Sequence, residues 1–149
     1  MEEWKELVSE NVMTNTAISA NPAPPVSRRS LWIGWILSAL PAFPLLSSAL
    51  MKFVKPQPVV EGFAHLGLPI GLAWGLGILE LGCTMVYLIP RFSVLGAILL
   101  AGYLGGATLT HVRVGDPFIM PVVLGVFVWG GIYLREPRLR ALIPLRGRH

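Results

Sequence analysis

Twenty-one consecutive residues, Leu31 to Met51, carry no charge. A helix of about 20 apolar residues crosses the hydrocarbon of a bilayer. Three further stretches follow the same rule: 66–89, broken only by Glu80, then 92–110 and 117–134. A chain with four such runs and short connections has few folds open to it. The expectation is an all-α integral membrane four-helix bundle, with consecutive spans as antiparallel neighbours. The spans lie at about 31–51, 66–89, 92–110 and 117–134.

Composition supports this. Hydrophobic residues make up 54% of the chain and charged residues 13%, against about 25% charge in a soluble domain. The remaining apolar surface must meet lipid. A net charge of +4 does not indicate nucleic acid, because the basic residues cluster at the edges of apolar runs. An anionic membrane surface is the partner such placement fits.

Orientation follows from the Lys/Arg balance between the two sides. Arg28, Arg29, Arg91, Arg135, Arg138, Arg140, Arg146 and Arg148 fall on one side, eight in all, against Lys52, Lys55 and Arg113 on the other. Both termini are therefore expected in the cytoplasm of a bacterial cell, in a multi-pass protein of its cytoplasmic (inner) membrane. Residues 52–65 and 111–116 are expected to face outward.

The ends read differently from the middle. Residues 1–30 read as a flexible N-terminal tail. Its acidic start is unlike a signal peptide, Trp4, Leu7, Val8 and Val12 suit an amphipathic turn or two, and "ANPAPPVS" reads as an extended linker. The residues leave open whether translation starts at Met1 or Met13. Residues 136–149 form a basic C-terminal tail, and 31–135 the membrane domain. Gly67, Gly71 and Gly75, and likewise Gly102 and Gly106, recur at the four-residue spacing that lets membrane helices approach. Pro41 and Pro44 fall inside the first span, where each removes a helical N–H and predicts a kink.

Glu80 is the most informative residue. A carboxylate inside a span costs about 2.5–3.5 kcal/mol on insertion scales, so it is expected to face the bundle. Helical spacing puts Leu76, Gly77, Cys83, Thr84 and Tyr87 on its face. With a span starting at Leu66, Glu80 lies roughly 12–14 residues from the outer end, hence about 18–21 Å deep. The same depth on other spans falls near Ser38 and Trp129, with Tyr103 about two turns nearer the outer face. Expected partners are Ser38, the Trp129 indole N–H, or the carbonyl freed by Pro41. Glu80, Tyr103, Trp129 and Ser38 thus form a candidate ligand-binding set. The competing reading is a protonated carboxyl that ties helices together.

The segment "GYLGGATLTHVRVGD" ends in three ionisable groups. On a straight helix His111 points about 160° away from Arg113. Asp116 precedes a proline and suits the cap of the fourth helix. The stretch reads as a helix exit followed by a helix entry. His65, His111, Arg113 and Asp116 form a candidate outer polar cluster, with interfacial charge as the plainer reading. A direct His111–Glu80 pair is not expected at that depth. The single cysteine, Cys83, reads as a packing residue. The three histidines are too scattered for a Cys/His metal site.

The segments "GILELGCTMVYLIPR" (Gly77 to Arg91) and "AGYLGGATLTHVRVG" (Ala101 to Gly115) resemble the DoxX-like family of small membrane proteins. The likeness extends loosely over residues 31–135. It implies a four-helix membrane bundle and says little about activity, although some relatives are membrane subunits associated with thiosulfate oxidation and quinone reduction. Glu80, Tyr103, His111 and Arg113 stand in the matching segments, and the absence of a second cysteine counts against thiol–disulfide chemistry. The functional expectation is an accessory or quinone-facing subunit of a membrane redox system. No haem, flavin or iron–sulfur ligand pattern is present, so a redox partner subunit must supply electrons. The alternatives are a small proton-coupled transporter or channel, which calls for a homodimer and a water path from the His65/His111 face to Glu80, and a structural or assembly protein without catalytic activity. The residues leave open whether the chain is an enzyme.

Overall fold

A computed structural model describes residues 1–19, 27–137 and 139 of the chain. Among these residues the structure is helical, with no strand. The first helix, α1 (Glu2–Ser19), is longer than the turn or two expected there. Trp4, Leu7, Val8 and Val12 are exposed on it. The Pro-rich linker before Ser27 and most of the basic C-terminal tail lie outside the described residues.

Helix α2 (Arg28–Val54) starts at a serine cap. The Ser27 hydroxyl accepts the Ser30 N–H at 3.2 Å, satisfying one of the orphan donors of the first turn. The helix runs on through Pro41 and Pro44 and stops at Lys55, which adopts a left-handed φ of 51°. The connection expected to face outward contains a short helix, α3 (Gln57–His65), which buries Phe63. Helix α4 (Leu72–Leu88) begins six residues later than the apolar run that predicted it. Gly67, with φ of 65°, and Pro69 break the backbone before it. A short 3-10 turn (Pro90–Phe92) leads into α5 (Ser93–Val114), which ends at Gly115 with φ of 78°. The left-handed glycine is a common helix stop. Helix α6 (Ile119–Arg135) follows.

Packing joins α2 to α4 and α6, and α5 to α4 and α6, so these four helices close a ring. The tight approaches do not use the expected glycines. A methyl group at Gly71, Gly75, Gly102 or Gly106 would meet nothing within 4 Å. Four-residue spacing sets which residues share a face, and leaves open which face meets a neighbour. The close contacts are made at Gly96, against the backbone of Tyr87, and at Gly131, against Ser38 and the Tyr87 hydroxyl.

The distribution of polarity is inverted relative to a water-soluble domain. Ser38, Glu80, Thr84 and Ser93 are buried, Glu80 to 2% exposure. Trp32, Phe43, Ile78, Leu109 and Val126 face outward, Phe43 at 76% exposure. Contiguous exposed apolar surface on that scale marks a membrane or interaction surface. Two segments, Arg28–Val54 and Pro90–Val114, are long and apolar enough to cross a bilayer. Helices α4 and α6 are apolar and shorter, at 17 residues each.

Candidate functional site

Helix α4 turns one face inward: Ala73, Gly77, Glu80, Cys83, Thr84 and Tyr87 are all buried. That is the face the helical spacing around Glu80 predicts. Thr84 returns its hydroxyl to the Glu80 carbonyl at 2.7 Å, so it serves its own helix.

The partner of Glu80 is a residue the sequence placed outside the span. Lys52, in the last turn of α2, reaches inward and donates from Nζ to Glu80 Oε2 at 2.8 Å and to Ser48 Oγ at 2.6 Å. The pair is enclosed, with the lysine side chain 14% exposed and the glutamate 3%. Two features permit it. The late start of α4 brings Glu80 about 9 Å nearer the end of the helix than a start at Leu66 would. Gly77, one turn before Glu80, lies 3.2 Å from the Lys52 Cβ when given a methyl group, so its bare backbone lets the lysine stem pass.

The pair forms part of the wall of a cavity of about 660 Å3. Leucines from α2, α4, α5, α6 and the segment after α3 line most of it, together with Phe63 and Met120. The polar lining comprises Ser48, Lys52, Glu80, Tyr103, Thr110 and His111. Tyr103 lines the same cavity as the Glu80 carboxylate. Gly102 and Gly106 also line the cavity. They leave it room instead of drawing two helices together. An apolar chamber with a few convergent polar groups is the usual form of a small-molecule site.

The expected ligand set therefore divides. Glu80 and Tyr103 line one cavity. Ser38 is buried elsewhere: its hydroxyl donates to the Gly34 carbonyl at 2.8 Å and accepts from the Tyr87 hydroxyl at 2.8 Å. The Tyr87 oxygen also lies 3.1 Å from the Val128 carbonyl, so its one proton is shared. Trp129 sits on the outer face of α6, 37% exposed, and does not line the cavity. The depth count failed for these two because it began from Leu66.

The expected outer cluster also divides. His65 Nε2 donates to Asp116, 3.0 Å from each carboxylate oxygen. Asp116 is thereby used across the fold, and α6 has no side-chain cap. Arg113 donates from Nη2 to the Leu66 carbonyl. Both contacts tie the end of α3 and the residue after it to the end of α5 and the turn that follows it. His111 stands apart from them and lines the cavity, its Nδ1 donating to the Ala107 carbonyl at 2.9 Å. No bond joins His111 to Glu80 among the described residues, although one cavity holds both. Sequence reasoning placed Lys52 at the outer face and missed it as the partner of Glu80; Ser48 it missed altogether. The available signal was their spacing, since residues 48 and 52 share a helical face if the helix outlasts its first charge.

The model of the DoxX-like family matches residues 36–131, more than half of the chain. No curated protein and no solved structure matches.

Proposed function

The chain belongs to the DoxX-like family, and from that membership and its apolar exterior we propose a multi-pass protein of the bacterial cytoplasmic membrane that binds a quinone-like molecule. In this reading α2, α4, α5 and α6 are four antiparallel spans with both termini in the cytoplasm. Three contacts support the antiparallel order. Ser30 at the start of α2 bonds the Leu134 carbonyl at the end of α6. Gly77 in the first half of α4 abuts the Lys52 stem at the end of α2. Gly96 near the start of α5 abuts Tyr87 near the end of α4. Seventeen residues lie at the short end of the spanning range, about 17–25.

The observation that carries the ligand assignment is the combination in one cavity of leucine walls with the Lys52–Glu80 pair and Tyr103. A quinone presents a flat apolar ring with two carbonyl oxygens. Lys52 and Tyr103 supply donors to a carbonyl oxygen, and Glu80 supplies an acceptor for a quinol hydroxyl. Electrons come from a partner subunit, which makes this chain the accessory, quinone-facing component of a membrane redox system.

The test is a thermal-shift titration of the purified protein in detergent with a ubiquinone or menaquinone analogue. Wild type is compared with Glu80→Gln and Tyr103→Phe. A saturable rise in Tm, weakened in both variants, is the expected result. The absence of any shift in a stably folded wild type sinks the assignment.

A second reading draws on one further observation: His111 and Glu80 line the same cavity. A chamber with ionisable groups at two points along it suits proton-coupled transport, with a homodimer completing the path. Proteoliposomes given a pH step separate the two readings. Proton flux lost in Glu80→Gln, without a quinone-induced shift, favours transport.

A further inference from the structure

The cavity beside the Lys52–Glu80 pair extends to the outside of the ring. On α5 it touches Leu104, which is buried, and Gly102, which is exposed. Residues two apart on a helix point about 160° away from each other. A single cavity that meets both must therefore pass round one flank of α5. Tyr103 lies on that flank and also lines the cavity. It follows Gly96 by about two turns, so the two share a side of α5, and Gly96 is the residue that abuts Tyr87 of α4. The passage thus runs between α5 and α4. The α4 wall makes the same transition, from Glu80, which is buried, to Leu79, which is exposed.

The two helices are pinched at one end and parted at the other. A methyl group at Gly96 would collide with the Tyr87 backbone, whereas one at Gly102 or Gly106 meets nothing within 4 Å. Leu72 and Leu79, both exposed, stand on the α4 side of the gap. The end of the cavity beside α3 is roofed instead. Phe63, Leu66 and Leu68 line it there. The His65–Asp116 and Arg113–Leu66 bonds hold this roof to the end of α5 and the turn after it. With α4 and α5 as spans, a gap edged by leucine and glycine opens on hydrocarbon. The charged groups lie inside, where Lys52 meets Glu80.

We propose that this gap is a lateral portal from the bilayer. The site takes an amphiphile whose polar ring sits against Lys52 and Glu80 while its apolar tail leaves between α4 and α5. This deepens the quinone reading and rests on it for the identity of the head. Gly102 and Gly106 become determinants of tail acceptance, because a side chain at either position occupies the path of the tail. A ligand without a tail fits wholly within a cavity of about 660 Å3 and is indifferent to them.

The experiment uses the full chain in lipid nanodiscs, with affinity read from the rise in Tm against two probes. One is a dimethoxy-methyl-benzoquinone without a tail, and the other is the same ring bearing a decyl chain. Gly102→Leu and Gly106→Leu fill the gap. Gly105→Leu is the control, since Gly105 is exposed on α5, has nothing within 4 Å of an added methyl group and does not line the cavity. The expected result is a loss of decyl-quinone affinity on the order of tenfold in both portal variants, with none in the control. Affinity for the tailless ring stays unchanged throughout. Equal loss of both probes, or undiminished decyl-quinone binding in the portal variants, overturns the portal. A second readout is independent of the head: an aryl diazirine dissolved in the bilayer is photolysed and its adducts are mapped by mass spectrometry. Tyr103 should be labelled in wild type and labelled less in Gly106→Leu. Labelled Tyr103 with no binding of either quinone upholds the portal and overturns the quinone head. Unlabelled Tyr103 in wild type overturns the portal, whichever probe binds.

Discussion

The Lys52 ammonium and the Glu80 carboxylate meet at 2.8 Å inside the helical ring, from the last turn of α2 and the middle of α4. Twenty-eight residues separate them in sequence. The pair links the helix that opens the ring to its neighbour, and it is the most polar element of the cavity wall.

A buried pair of this kind is asymmetric in its energetics. Removing one partner leaves a charge without compensation, whereas replacing both with apolar groups is close to neutral. Lys52→Met and Glu80→Leu should therefore each destabilise the protein by about 3–5 kcal/mol. The double variant should recover most of that loss. Chemical unfolding in mixed micelles measures the cycle, and purely additive losses would show that the two charges are not coupled.

Gly96 and Gly102 sit six residues apart on α5 and should respond in opposite directions. A methyl group at Gly96 runs into the backbone of Tyr87, which has no side-chain freedom with which to yield. Gly96→Ala should cost about 3 kcal/mol by overpacking. Gly102→Ala meets open space and should gain about 0.5–1 kcal/mol from reduced backbone entropy in the unfolded chain. Comparing the Tm values of the two variants decides the point. Similar losses in both would contradict the packing described for α4 and α5.

The orientation can be read with a thiol reagent that does not cross membranes. Cys83 is buried, and a Cys83→Ser background removes it. Glu61 and Arg91 are exposed in the connections at opposite ends of α4. Intact cells should label Glu61→Cys at once and Arg91→Cys only after permeabilisation. The reverse pattern would mean that the Lys/Arg balance misassigned the two faces.

Much of this was legible in the residues. Apolar runs located the long helices, and a spacing of three and four placed Gly77, Glu80, Thr84 and Tyr87 on one buried face. The DoxX-like likeness in Gly77 to Arg91 and Ala101 to Gly115 agrees with the family match over 36–131. Other features were not legible, for definite physical reasons. Lys52 looked like the end of a span because hydropathy falls at the first charge. The helix itself stops only where Lys55 turns left-handed. Helix α3 was hidden because nine residues flanked by prolines carry too little periodic signal. Ser38 was matched to Glu80 by counting depth, yet it bonds Tyr87. Counting along a span is only as good as its starting residue, and the apolar run at Leu66 continues across a backbone break at Gly67 and Pro69 that hydropathy does not register.

One consequence follows from where α2 ends. Lys52 lies three residues before the left-handed Lys55 that terminates the helix. Fraying is concentrated at helix ends, where each lost hydrogen bond is a local event. Unwinding a single turn of α2 would withdraw the ammonium from Glu80 and leave the other helices where they are. The polar wall of the cavity is therefore held by the least cooperative part of a 27-residue helix. Melting of that one turn is a faster and smaller motion than the sliding of whole helices past one another.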